Sequence, residues 1–189
     1  MSDGGRLLPM AEAARPPKAE PVFARVAIVG LGAIGASIGL AVRQAWPDVL
    51  IVGVDRKDIL QQAVHLHAID VGANDLVVAA DVQLIVLAAS DRDNARILPA
   101  IAEYVAGECV ITDVGAAKGE ICAAAKDLPP NLVFVDGTPD ADAGGRGLES
   151  ARPDLFVGRT WRLGGGNDVA AHRTRLEAFV RGLGATPIA

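Results

Sequence analysis

From Arg25 onward, short continuous apolar runs alternate with longer amphipathic stretches, and this alternation predicts strands and helices in turn. Arg25–Val29 (RVAIV) reads as a buried strand, and Ala33–Ala45 as a helix stopped by Pro47. Val49–Val54 is a second strand and Lys57–His67 an amphipathic helix. Ile69–Val78 has no clear period and reads as a short strand and a turn. Gln83–Ala88 (QLIVLA) is again uniformly apolar, with a helix expected from about Asp93 to Val105. Cys109–Thr112, a helix from about Ala117 to Lys126, and Leu132–Val135 repeat the scheme. Ala141–Gly158 is a Gly- and charge-rich connection with room for a short helix. Thr160–Leu163, a helix over Asp168–Leu183 and a last strand at Thr186–Ile188 complete the chain.

Strands without polar alternation are buried on both faces, and strands separated by helices run parallel. The expected fold is therefore α/β: a doubly wound, mostly parallel sheet of Rossmann type with helices on both faces. Residues 24–189 are expected to form this domain. Residues 1–23, rich in Pro, Gly, Ala and charge, read as a disordered arm.

Composition narrows the picture. Half of the 189 residues are apolar and 22% are charged, so the chain has the means to build a core. Aromatics are only 4%, which leaves that core to Ala, Val, Leu and Ile. A formal charge of −5 gives no electrostatic reason to seek nucleic acid or an anionic membrane. Cys109 and Cys122 make neither a disulfide framework nor a CxxC site and read as reduced and buried. The first twenty residues resemble no export signal, so a cytoplasmic location is expected. Val26–Val42 is uncharged, but its bunched glycines suit a strand-to-helix turn better than a membrane span.

The candidate chemistry lies at those glycines. Gly30-Leu31-Gly32-Ala33-Ile34-Gly35 is G-x-G-x-x-G, set between a predicted strand and a predicted helix. In that setting Gly30 permits the tight turn, Gly32 lets a pyrophosphate approach the backbone, and Gly35 lets the helix pack closely. Free N–H groups and the positive end of the helix dipole then face the phosphates. Asp55 closes the second strand, twenty residues after Gly35, where a carboxylate binds both ribose hydroxyls of the adenosine. Its charge repels a 2′-phosphate and favours NAD over NADP; the adjacent Arg56, able to accept that phosphate, pulls the other way. Ala88, Ala89 and Ser90 follow the next strand, where small residues let a cofactor lie across the sheet and Ser90 offers a hydrogen bond or a helix cap. His65, His67, His172 and the Asp140-Ala141-Asp142 triplet form no metal-ligand pattern, and no metal is expected.

Several stretches resemble the prephenate/arogenate dehydrogenase family of tyrosine biosynthesis: Val29–Gly35 with Ser37, Val52–Arg56, Leu84–Ala89, Ile111–Gly119 (ITDVGAAKG) and Asp154–Trp161 (DLFVGRTW). The last two are the most specific, and the likeness covers roughly Arg25 to Ala189. It implies an NAD-dependent oxidoreductase that removes hydride and carbon dioxide from a cyclohexadienyl acid. It also places Asp113 and Lys118 near nicotinamide or substrate, with Asp113 a candidate cofactor contact.

The pattern breaks at the catalytic positions. The family places a His–Pro pair after the F-V-x-G strand, where the His accepts the proton of the ring hydroxyl; here Thr138 precedes Pro139. A Thr hydroxyl is no base near neutrality, and losing a general base costs about 10²–10⁴ in rate. Ala116 stands where the family has a substrate-contacting Ser, so no catalytic residue is assigned. Asp140 and Asp142 add negative charge near a small carboxylic-acid substrate, which Arg146, Arg152 or Arg159 would have to offset; for Arg159 a structural ion pair is the favoured role. The family's helical dimerisation domain is expected to be absent after Ala189. Two readings follow: a dehydrogenase, or a nucleotide-binding module without turnover that acts with a separate helical subunit or as a redox sensor; the candidate protein partners are a second copy, as a homodimer, or that helical subunit.

Overall fold

The computed structural model describes residues 20–164 and 170–189. Six parallel strands form the main sheet: β1 (Arg25–Val29), β2 (Leu50–Val54), β3 (Val71–Ala73), β4 (Leu84–Leu87), β5 (Cys109–Asp113) and β6 (Leu132–Val135). Their order is β3-β2-β1-β4-β5-β6, so the winding reverses between β1 and β4. Open sheets of this kind bind ligands above the strand ends at such a reversal. Register brings the ends level: Val29 pairs with Val54 on one side and with Leu87 on the other. Gly30, Asp55 and Ala88, the next residue in each strand, therefore emerge side by side.

Both faces of the sheet are covered, as continuous apolar strands require. Val26, Ile28, Leu84 and Val86 join Leu60 and Phe179 in one core; Ala27, Val29, Ile85 and Leu87 join Leu98 and Ile121 in the other. The first core packs under helices α1 (Ala33–Ala45), α2 (Lys57–His65) and α5 (Ala170–Gly182). The second lies under α3 (Asp91–Ile101) and α4 (Gly119–Ala124). Val26–Val42 is thus β1, the glycine turn and most of α1, and among the described residues no helix is long and apolar enough to cross a membrane.

Several boundaries differ from expectation for local reasons. His67 takes φ 58°, and α2 ends two residues before it. Helix α3 starts earlier, capped by Ser90, and ends at Ile101, two residues past Pro99, which cannot donate to the preceding turn. Ala102, Glu103 and Tyr104 continue it only as tight i→i−3 turns. Of α4, only Gly119–Ala124 is α-helical, followed by a turn at Ala125–Asp127. The predicted start of the last helix at Asp168 lies outside the described residues.

The larger difference is a second sheet. Gly137–Pro139 forms a strand, β7, that pairs antiparallel with β8 (Thr160–Leu163), which in turn pairs in parallel with β9 (Thr186–Ile188). β8 alternates exposed and buried residues, the mark of a sheet covered on one face only. Phe23, assigned to the arm by composition, is 1% exposed: it packs edge-on to Phe179 at 5.8 Å, with the Arg175 guanidinium 4.6 Å from its ring centre. Cys109 is buried and Cys122 half-buried, both as free thiols; burial pushes the Cys109 thiol up to about 12.

Candidate functional site

The glycine corner is built by close packing. Gly30 takes φ +93°, and a Cβ there would stand 2.5 Å from the Ala89 nitrogen. A Cβ on Gly35 would lie 1.9 Å from the Gly30 carbonyl oxygen. Both positions exclude side chains, the first through backbone conformation as well as space. The Gly30 N–H donates to the Val54 carbonyl at 2.9 Å, which ties the turn to β2. Around Gly32, its chain neighbours aside, the one atom among the described residues within 4 Å of a Cβ position is the Arg146 carbonyl oxygen, at 3.1 Å.

Helix α1 begins at this corner without a side-chain cap and with no acidic residue in its first turn. Ala33 N–H donates to the Arg146 carbonyl at 3.1 Å. Among the described residues the N–H groups of Gly32, Ile34 and Gly35 find no acceptor. Three unsatisfied donors at the positive end of a helix dipole make an anion cradle. Leu31 and Ala33 are buried and Ile34 half-buried, so the loop presents backbone rather than side chains.

Asp55 turns toward that cradle. Its carboxylate accepts from the Leu31 N–H at 2.7 Å and, through the other oxygen, from the Arg56 N–H at 2.7 Å. Arg56 itself points along the surface, 3.5 Å from Asp58, with 77% of its side chain exposed.

Across the reversal, Ala88 and Ala89 are half-buried, and their backbone lies against Gly30. Ser90 is exposed; its hydroxyl accepts from the Asp93 N–H at 3.2 Å and donates to the Asp93 carboxylate at 2.7 Å. That is the helix-cap alternative. Asn94 belongs to no motif picked out in the sequence. Fully buried on α3, it accepts from the Ala89 N–H at 3.1 Å and donates to the carbonyls of Leu87 and Ala89 at 3.2 and 3.3 Å. Its amide sets the shape of the β4 turn. The available signal was a polar residue on the inward face of a helix.

Asp113, a candidate cofactor contact, is 1% exposed at the end of β5. Both its oxygens take the Lys118 ammonium, at 2.8 and 2.7 Å, and it also accepts from the N–H groups of Gly115 and Gly137, each at 3.1 Å. Burial pushes its carboxyl above the ordinary aspartate range, and the Lys118 charge opposes that shift. Lys118 donates once more, to the Gly137 carbonyl at 2.6 Å. The pair thus ties β5 to β7, and its groups are spent on one another and on backbone. Thr138 donates its hydroxyl to the Gly115 carbonyl at 3.1 Å. Arg159 is exposed, and the ion pair expected of it is not seen among the described residues.

A groove of about 660 Å³ opens between α2 and the Leu148–Glu149 turn, lined by Asp58, Gln61, Gln62, His65 and Leu66. It lies beside α2 and includes no residue of the glycine corner. Among the described residues no three His, Cys, Asp or Glu side chains gather to hold a metal.

The family model described as the nucleotide-binding domain of prephenate dehydrogenase matches residues 38–186. The prephenate dehydrogenase of Lactococcus lactis subsp. cremoris is 31% identical over 135 residues, covering 70% of this chain and 38% of that protein. The cyclohexadienyl dehydrogenase of Zymomonas mobilis is 28% identical over 141 residues, covering 71% and 47%. The chain therefore spans less than half the length of these relatives. Among solved structures, Synechocystis arogenate dehydrogenase superposes with a TM-score of 0.80 at 23% identity, over 87% of this chain and 58% of that one. The A. aeolicus prephenate dehydrogenase, solved with hydroxyphenyl propionate and NAD+, gives 0.79 at 23%, with the same coverage.

Proposed function

Because this chain belongs to the prephenate dehydrogenase nucleotide-binding domain family, we propose that it binds NAD(H) at the Gly30–Gly35 corner as the cofactor-holding part of an oxidoreductase of that type. One observation carries this: the Asp55 carboxylate stands against Leu31 of the glycine turn at 2.7 Å, where the sheet reverses. Diphosphate would sit on the N–H groups of Gly32, Ile34 and Gly35, and the adenosine ribose on Asp55. Ala88 and Ala89 leave the sheet edge low enough for the dinucleotide to cross. Bound NAD+ supplies the hydride acceptor; the chain's own residues bind and orient it. The A. aeolicus relative with NAD+ bound supports the cofactor assignment. The Asp55 charge supports NAD over NADP. A cytoplasmic location fits this chemistry.

A second reading concerns turnover. Thr138 has no proton-accepting group of useful basicity and commits its hydroxyl to Gly115. Lys118 and Asp113 neutralise each other. By themselves these residues offer no base for a ring hydroxyl, which favours a nucleotide-binding module that leaves the proton transfer to a separate helical subunit. A fluorescence titration with NADH, followed by NAD+ with prephenate or arogenate, separates the readings. Saturable NADH binding with no NADH production is expected. Turnover by the chain alone would remove the second reading, and absence of binding would remove both.

A further inference from the structure

The dinucleotide reading leaves a charge unbalanced at the corner. A diphosphate brings two negative charges to a helix end worth roughly half a positive one. Asp55 and the Arg146 carbonyl already turn negative atoms toward that helix, at 2.7 Å from the Leu31 nitrogen and 3.1 Å from the Ala33 nitrogen. The chain as a whole carries −5. Of the neighbouring cations Lys118 is spent on the buried Asp113, while Arg56 and Arg152 lie 3.5 and 3.8 Å from Asp58 and Asp154 at the surface. Arg146 is exposed, and among the described residues its guanidinium has no acidic partner and no hydrogen bond. Its main chain touches the corner itself.

That contact is anchored downstream. Upstream, the Gly144 N–H donates to the Asp142 carboxylate at 2.8 Å in a local turn. Downstream, Leu148 is 3% exposed in the core, and the Arg152 N–H donates to the Ser37 hydroxyl at 3.0 Å. The segment holds the Arg146 backbone against the first turn of α1, so its guanidinium starts within one side chain's length of the cradle. A planar, permanently charged fork matches phosphate oxygens in pairs.

We propose that Arg146 is a diphosphate-binding residue: the Asp140–Ser150 segment crosses the glycine corner, and Arg146 closes over the pyrophosphate of the bound dinucleotide. The proposal rests on the dinucleotide reading above. It gives Arg146 to the cofactor rather than to a carboxylic-acid substrate.

The test is NADH titration of the full chain and of Arg146→Gln and Arg146→Lys at several salt concentrations, with ADP-ribose and adenosine as competitors. Arg146→Gln should weaken NADH and ADP-ribose alike by about tenfold or more and flatten the salt dependence, because a screened charge contact is gone. Arg146→Lys should recover part of both. Adenosine, which has no phosphate, should compete equally well against both proteins. Unchanged NADH affinity in Arg146→Gln overturns the proposal. So does a loss shared by adenosine with the salt dependence intact, which would mark a packing role for the segment. If the unmodified chain binds neither NADH nor ADP-ribose, the dinucleotide reading falls, and Arg146 with it.

Discussion

The Leu31 N–H donates to the Asp55 carboxylate at 2.7 Å, which joins the middle of the glycine turn to the end of the neighbouring strand. These residues are 24 apart in the chain. They meet because β1 and β2 pair in register and Gly30 bonds back to Val54. The carboxylate is thereby held beside the cradle before any ligand arrives, which lowers the ordering cost of binding.

Asp55→Asn keeps the shape and removes the charge. It should weaken NADH by about tenfold, the worth of one charge-assisted hydrogen bond, and reduce the preference for NADH over NADPH. Parallel fluorescence titrations with the two cofactors read this directly. An unaltered preference would show that Asp55 does not select the ribose.

Gly35→Ala places a methyl 1.9 Å from the Gly30 carbonyl oxygen. Backbone has to move, so the loss of stability should be at least about 3 kcal/mol. Chemical denaturation of the two proteins tests it. A stability within experimental error of the parent would mean that the helix does not pack on the turn as described.

How far the site could be read from the sequence depends on how local each signal is. Gly30, Gly32, Gly35 and Asp55 were legible because strand, turn, helix and strand follow directly and the spacing carries the geometry. Asn94 was not, since its hydrogen bonds reach back to Leu87 and Ala89 and nothing in a periodic pattern says that a buried amide will turn toward the preceding strand end. β7 was missed because Gly137–Pro139 is only three residues, with Gly and Pro at its ends, and it exists by pairing with Thr160–Leu163 far along the chain. Arg146 touches Ala33 across a still longer separation, through a backbone atom that no side-chain pattern reveals.

Asn94→Ala strips one acceptor and two donors from the β4 turn. Leaving those backbone groups buried and unpaired should cost about 2–3 kcal/mol. It should also weaken NADH, because Ala88 and Ala89 lose their fixed shape. Thermal unfolding and NADH titration on the same variant check the two effects; normal affinity would separate the turn from the cofactor.

Lys118→Met leaves the Asp113 carboxylate at 1% exposure without its cation. Breaking such a pair should destabilise by about 3 kcal/mol. The sign with pH is fixed by the direction of the Asp113 shift. Burial raises its folded-state carboxyl above the unfolded value of 3.8, so its contribution is present below that value and is lost as pH rises through the folded one. Removing Lys118 raises the folded value further and should extend the loss to higher pH. Denaturation from pH 4 to 8 should show the variant falling progressively below the parent, with Asp113→Asn in the same background recovering part of the difference. A pH-independent gap would contradict this.

The amide resonances of the glycine turn offer the most direct test of the central claim. In an isotope-labelled sample titrated with NAD+, the N–H signals of Leu31, Gly32, Ile34 and Gly35 should move most, with Asp55 and Ala89 following. Saturating shifts confined to the α2 groove near Gln61 and His65, or no shift at the glycine turn, would contradict it.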